Sequence, residues 1–301
     1  MPELPEVETI VRDLRNKVLE RTFVDVWTDF EKMFKRPENF QRFKKELEGK
    51  KILNVWRRGK NIIFGLSEGY SLLIHQKLTG HILYGTWNLE YGVWASRKKG
   101  PLSERVNAYI HLLLKLDDGK MLALSDLRKF AKVELWRTEE LKQSKEFKEL
   151  GPEPLGKDFT FKEFGKRLAE KKGKIKQVLM NQKIITGIGN IYSDEILFTS
   201  KVHPLERADN LSEKELKKVY RAIKKILSKA IDLRGESFSN YRDIEGRRGQ
   251  FDKTRKVYRK EGEKCNRCGA IIQRIKISGR SAHFCPICQN LEHGPMAGRP
   301  K

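Results

Sequence analysis

The chain opens on helical spacing. Val7, Ile10, Val11, Leu14 and Val18 recur on one face of the segment from Pro5 to Leu19, with charged residues between them. Two prolines and the carboxylates of Glu3, Glu6 and Glu8 crowd its first turns. Proline loses no hydrogen bond there, and negative charge meets the positive end of the helix dipole. From Lys51 to Trp136 the period changes. Short apolar runs at 51–56, 61–66, 71–75, 111–116, 121–124 and 131–136 are separated by turn pairs such as Glu68-Gly69 and Asp118-Gly119. This spacing predicts an antiparallel sandwich or barrel. Thr86 to Asn107, which contains Arg97-Lys-Lys-Gly-Pro, reads as a long exposed loop.

A proline- and glycine-rich stretch, Gly151-Pro-Glu-Pro-Leu-Gly, separates strand character from helix character. Thr160 and Glu163 then match a capping box ahead of Phe164 and Leu168. Ile175, Val178 and Leu179 mark the next helix. Thr186-Gly-Ile-Gly-Asn-Ile-Tyr reads as a tight turn opening another, through Ile196 and Leu197. The clearest helix runs from Ser212, paired with Glu215, to Gly235, and Leu216, Val219, Ile223, Ile226, Leu227 and Ile231 line its apolar face. The tail after Cys288 reads as disordered.

All four cysteines fall near the end, as Cys265, Cys268, Cys285 and Cys288. The pattern C-x2-C-x16-C-x2-C is that of a zinc ribbon, in which each C-x-x-C supplies two thiolates from one turn. Two disulfides would satisfy the same count, but an intracellular basic chain disfavours them. One structural Zn²⁺ is expected, because four thiolates leave no open position for water. Ile271 to Phe284, between the knuckles, alternates isoleucine with basic residues and predicts a hairpin that projects Arg274, Lys276 and Arg280.

Charge narrows the choice of partner. Among 301 residues, 63 Lys and Arg face 40 Asp and Glu, a formal balance of +23. On a folded chain that excess is the footprint of nucleic-acid binding, although a solvated surface would also carry it. No apolar run approaches the roughly 18–20 residues of a membrane span. The acidic, proline-broken start lacks the features of a signal or transit peptide, so a cytoplasmic protein is expected.

Separated pieces now align. Pro2-Glu-Leu-Pro-Glu-Val-Glu-Thr, Arg58-Gly-Lys-Asn, Gly187-Ile-Gly-Asn-Ile-Tyr-Ser-Asp-Glu and the four-cysteine ribbon occur in that order. From Pro2 to Cys288 the chain resembles the formamidopyrimidine-DNA glycosylases, bacterial-type repair enzymes that remove oxidised purines. The resemblance implies a multidomain α+β fold. An N-terminal antiparallel β-sandwich with flanking helices is expected over 1–137 and a linker over 138–156. A helical helix-two-turns-helix domain follows over 157–240, then a zinc-ribbon β-hairpin over 241–290 and the tail over 291–301.

The expected partner is damaged double-stranded DNA, held across a basic cleft by a monomer at the nucleoid. By resemblance, Pro2 freed of Met1 is the nucleophile. Its amine, with a reference pKa of about 8, attacks deoxyribose C1′ to expel the base and form an iminium, and β,δ-elimination follows. From the residues alone, Pro2 reads first as a helix-start proline, and Glu3 as a dipole partner that Glu6 and Glu8 match equally well. The resemblance makes Glu3 the general acid and assigns Lys60, Asn190 and Arg280 to phosphate. It also assigns Leu78, Arg128 and Phe130 to the hole left by the flipped base. Leu78 stands where the family usually has Met, and Leu127 where it has Pro. Ser237-Phe-Ser-Asn-Tyr to Gly249-Gln-Phe matches the segment that closes over the flipped base. Two other readings stand beside this one: an endonuclease VIII-like enzyme for oxidised pyrimidines, and a non-catalytic zinc-ribbon DNA-binding protein.

Overall fold

The computed structural model describes residues 1–237 and 240–291. Phe238 and Ser239 of the expected closing loop, and the expected disordered tail from 292 onwards, lie outside the described residues. The chain forms two compact units: Met1–Glu149 with Ala230–Lys253, and Leu150–Lys229 with the residues from Thr254 onwards.

The first unit begins with α1 (Leu4–Val18), β1 (Phe23–Thr28), β2 (Phe34–Arg36) and α2 (Phe40–Leu47). Strands β3 (Ile52–Arg58), β4 (Asn61–Leu66), β5 (Tyr70–His75), β6 (His81–Gly85), β7 (Trp87–Glu90) and β8 (Val93–Ser96) follow. It continues with β9 (Ile110–Leu116), β10 (Met121–Ser125) and β11 (Lys132–Arg137), then two short helices, α3 (Thr138–Gln143) and α4 (Lys145–Lys148). One sheet has the order β1-β9-β10-β6 and the other β2-β11-β5-β4-β3. All pairings in these two sheets are antiparallel except β2 with β11. A single core lies between the sheets and α1. Val7, Ile10, Val11, Leu14 and Val18 pack there with Phe64, Leu72, Ile74, Leu114, Leu124 and Val133. Burying each such side chain contributes about 1.5–3 kcal/mol, so the apolar stripe of α1 fixes where its N-terminus points.

The sequence pattern located α1 and six strands but missed β1, β2 and β6–β8. The stretch from Thr86 to Asn107 is not one exposed loop. It holds the β7–β8 hairpin, and Trp87, only 2% exposed, sits in a second cluster with Leu83, Ile110, Leu113 and Ala123. Trp27 and Trp94 meet edge-on beside it, with centroids 5.4 Å apart. The basic residues Arg97, Lys98 and Lys99 masked this aromatic content.

The second unit contains α5 (Phe161–Ala169), α6 (Ile175–Met180), α7 (Asn190–Ser200), most of α8 (Glu213–Asp232) and the hairpin β12 (Gln273–Ile277)–β13 (Arg280–Phe284). Both expected caps form. Thr160 Oγ1 accepts from the Glu163 amide at 3.2 Å, and Ser212 exchanges bonds with Glu215. Among the described residues no helix is long and apolar enough to cross a membrane.

Candidate DNA-repair site and metal centre

In the first unit, Pro2 and Glu3 are buried at the head of α1. The Glu3 amide donates to Glu6 Oε2 at 2.7 Å, and Glu6 Oε1 accepts from the Glu236 amide at 2.8 Å. Glu6 therefore ties the start of the chain to a segment far along it. Gly235 makes this possible: it adopts φ +81°, and a Cβ there would lie 2.6 Å from Glu6 Oε1. Sequence reasoning found only a dipole role for Glu6, since no local pattern reveals an acceptor for so distant an amide.

Lys60 sits in the two-residue turn between β3 and β4, where Arg58 pairs with Asn61. Gly59 supplies the positive φ of 59° that a glycine-first hairpin turn requires. Arg57 donates to Glu8 Oε2 at 2.9 Å and to the Gly59 carbonyl at 3.0 Å, linking this turn to the opening turns of α1. His75, across the ladder from Asn61 and Lys132, has its pKa pushed down to about 3. Burial is the main cause, helped by the charges of Lys77, Lys60 and Lys132. It is neutral, and its Nδ1 accepts from the Lys77 amide at 3.0 Å.

Leu78, Arg128 and Phe130 come together through residues that sequence reasoning did not single out. Buried Asp126 accepts from the Phe130 amide at 2.7 Å, the Ala131 amide at 2.8 Å and the Thr79 hydroxyl. Thr79 Oγ1 accepts in turn from the Arg128 amide at 3.1 Å. The Leu78 turn and the Arg128–Phe130 turn are thus one bonded assembly. Phe130 is about half exposed, and the Arg128 guanidinium lies 4.8 Å from the centre of its ring. The sequence signal was available: an Asp that opens a turn and bonds the backbone beyond it.

In the second unit, Asn190 is the first residue of α7, after Gly187 at φ +90° and an extended Gly189. Lys176 of α6, 1% exposed, is bonded to Asp194 and lies 3.4 Å from the Asn190 carbonyl. Glu195, also buried, receives the amides of Lys256, Val257 and Tyr258, each at 2.9 Å. Burial raises its pKa although those three amides oppose the shift. Arg280 opens β13 and is exposed, as are Arg274 and Lys276.

The four cysteine sulfurs lie within 4.8 Å of one another, with Cys265–Cys288 at 3.9 Å and Cys268–Cys285 at 3.4 Å. Zn–S bonds of about 2.3 Å in a tetrahedron require sulfurs about 3.8 Å apart, so the set fits one Zn²⁺. Amides of Arg267 and Cys288 point at the sulfurs of Cys265 and Cys285, both at 3.4 Å. Gly269 closes the first knuckle at φ +79°. Zinc there would hold the two knuckles that flank the hairpin, and four thiolates would leave no coordination position open to water.

A sandwich headed by a buried Pro-Glu, a glycine turn opening a helix, and a hairpin flanked by four clustered thiols are the parts that the resemblance to the DNA-repair glycosylases implies. Three family models match in succession: the formamidopyrimidine-DNA glycosylase N-terminal domain over residues 1–133, the H2TH domain of the same enzymes over 150–242, and the zinc finger found in FPG and IleRS over 262–291. The formamidopyrimidine-DNA glycosylase of Desulfitobacterium hafniense is 39% identical over 289 residues, covering 96% of this chain and 100% of the relative. That of Heliobacterium modesticaldum is 37% identical over 290 residues, with the same coverage. Lactococcus lactis Fpg in complex with abasic-site DNA superposes with a TM-score of 0.84 at 36% identity, covering 96% of this chain and 100% of that one. The chain belongs to the formamidopyrimidine-DNA glycosylase family.

Proposed function

We propose that this protein is a base-excision-repair DNA glycosylase and abasic-site lyase that removes oxidised purines, including 8-oxoguanine and formamidopyrimidines, from duplex DNA. The observation that carries the reading is the head of α1. Glu6 clamps the Glu3 amide, so the residue before it, Pro2, is presented from a fixed backbone. Pro2 nitrogen attacks deoxyribose C1′, the C1′–base bond breaks, and the ring opens to an iminium. Glu3, 1% exposed, delivers the proton to the ring oxygen. With the iminium as electron sink, β- and then δ-elimination expel the 3′ and 5′ phosphates.

Lys60, Asn190 and Arg280 take the phosphates around the lesion. Leu78 fills the vacated stack, Arg128 meets the orphaned base and Phe130 stacks beside it. Relatives named for formamidopyrimidine, together with the Leu4-Pro5 opening, favour oxidised purines over the endonuclease VIII-like preference for oxidised pyrimidines.

Borohydride trapping with 8-oxoguanine duplex tests the chemistry. The adduct is expected on the N-terminal peptide lacking Met1, and a blocked N-terminus abolishes it while Lys60→Ala does not. Full strand cleavage by a preparation shown by mass to keep a blocked N-terminus would refute the assignment of Pro2. The same trapping also excludes a purely DNA-binding zinc-ribbon protein.

A further inference from the structure

Arg280 lies on a hairpin that is fastened on both sides of it. On one side, Ser278 at the hairpin turn is hydrogen-bonded to Gln177 Nε2 of α6. On the other, His283 donates its amide (3.0 Å) and its Nδ1–H (2.8 Å) to Asp194 Oδ2 of α7, while Asp194 Oδ1 takes the Lys176 ammonium. Lys176 and Gln177 are neighbours on α6. Lys176 also reaches Ser193 Oγ at 3.3 Å and the Asn190 carbonyl at 3.4 Å, so the same ammonium touches the first turn of α7. Lys176, Asp194 and His283 are 1%, 1% and 3% exposed. Glu261 Oε2 faces the other ring nitrogen of His283 at 3.5 Å, and the Tyr258 ring packs edge-on against the imidazole.

Stability alone is a poor account of this network. A buried ion pair often contributes no more than a well-packed apolar substitute, because desolvation offsets the attraction. What it supplies is direction: the bonds converging on the two oxygens of Asp194 fix α6, α7 and β13 at chosen angles. Arg280 is three residues from His283, about 10 Å along an extended strand, and two residues from Ser278. Asn190 is one helical turn from Asp194.

We infer that Asp194, with Lys176, Gln177 and His283, forms a brace that sets Arg280 at a fixed distance and angle from Asn190, making these positioning residues for the phosphate clamp. The inference rests on the reading that Arg280 and Asn190 bind phosphate. The brace never touches DNA. It acts by keeping the hairpin from swinging, so that one phosphate meets both groups.

The test uses the full-length, zinc-loaded protein and a duplex carrying a tetrahydrofuran abasic analogue, titrated at stepped salt. Asp194→Ala leaves a buried ammonium unpaired and risks misfolding, so His283→Ala and Gln177→Ala are the informative variants. Each is expected to keep one zinc and a native circular-dichroism spectrum. Each weakens binding about 3- to 10-fold and flattens the log Kd–log salt slope by up to about 0.9, the loss of one phosphate contact. His283→Asn, which keeps an N–H near the Nδ1 position, restores most of the affinity. Combined with Arg280→Ala, neither variant weakens binding further, because residues acting through one another are non-additive. Additive losses, or a lowered Tm with an unchanged salt slope, would reduce the network to a structural element and overturn the inference. A silent Arg280→Ala would instead remove the phosphate role itself, and the inference would fall with it.

Discussion

Replacing Asp126 with alanine is expected to damage the base-gap assembly more than its distance from Pro2 suggests. The carboxylate accepts two short backbone bonds, from Phe130 at 2.7 Å and Ala131 at 2.8 Å, as well as the Thr79 hydroxyl. Hydrogen bonds to a charged group contribute about 1.5–3 kcal/mol each, and a buried donor left without a partner costs about 1–3 kcal/mol. Ala131 is 3% exposed, so its amide gains no water when the carboxylate is removed. Phe130 is half exposed, and its amide can be partly rehydrated. The two backbone bonds alone then put the total for Asp126→Ala at about 3–6 kcal/mol. Asp126→Asn keeps one acceptor oxygen and loses about half of that. Urea unfolding at pH 7 measures the stability change. Excision of 8-oxoguanine opposite each of the four bases measures the base reading proposed for Arg128, and the variant is expected to discriminate less. Wild-type discrimination in Asp126→Ala together with a loss under about 1 kcal/mol would refute the claim that Asp126 organises these turns.

Metal analysis should give one zinc per chain, and Cys265→Ser or Cys288→Ser should lose DNA binding, because a hairpin built on four thiolates does not fold without its ion; less than about half an equivalent of zinc in fresh protein would count against the site. Gly235→Ala meets both a left-handed backbone and Glu6 Oε1 at 2.6 Å, and is expected to cost about 2–4 kcal/mol with a matching loss of base excision. Gly269→Ala has no atom within 4 Å of the added carbon and should show the backbone penalty alone, about 1–2 kcal/mol; equal effects would rule out the steric account. The pKa values of His75 and His203 are held at about 3 and about 4, both chiefly by burial. The unfolded chain therefore binds these protons more readily, so stability should fall as pH drops from about 6.5 towards 4, by up to about 1.4 kcal/mol per pH unit for each group. His203→Gln should flatten that slope, and an unchanged slope would show that other groups dominate.

The features legible in the sequence were those with a local period or a fixed spacing. The stripe on α1, the capped helices and the cysteine ribbon each announce themselves within a short window. β7–β8 did not, because Trp87 and Trp94 sit in short strands whose other positions are not buried, beside Arg97, Lys98 and Lys99. Most of the acidic residues that organise the sites were also silent, Asp126 alone carrying the local signal of an Asp that opens a turn. Glu6, Asp126, Asp194 and Glu195 bond to backbone amides, and an amide carries no side-chain signature. Glu6 and the Glu236 amide are 230 residues apart, so only the folded chain can join them. Taken as individual residues, Pro2 and Glu3 remained a helix start, and it was the resemblance over the whole chain that gave them chemistry.

Because the first unit is interrupted in sequence, synthesis on the ribosome completes it late. Its closing piece, Ala230–Lys253, is translated after about 80 residues belonging to the other unit have been made. That piece brings the amide that Glu6 needs and Arg234, which pairs with Asp13. At about 5–20 residues per second, the interval between Glu149 and Arg234 is several seconds or more. During it the nascent sandwich carries the buried carboxylate of Glu6 without its distant partner. A nascent chain stalled before Arg234 should consequently be protease-sensitive around α1, and one stalled well past Lys253 should be resistant. The N-terminus proposed to perform the chemistry would then be among the last parts of its own unit to become fixed, although it is the first to be synthesised.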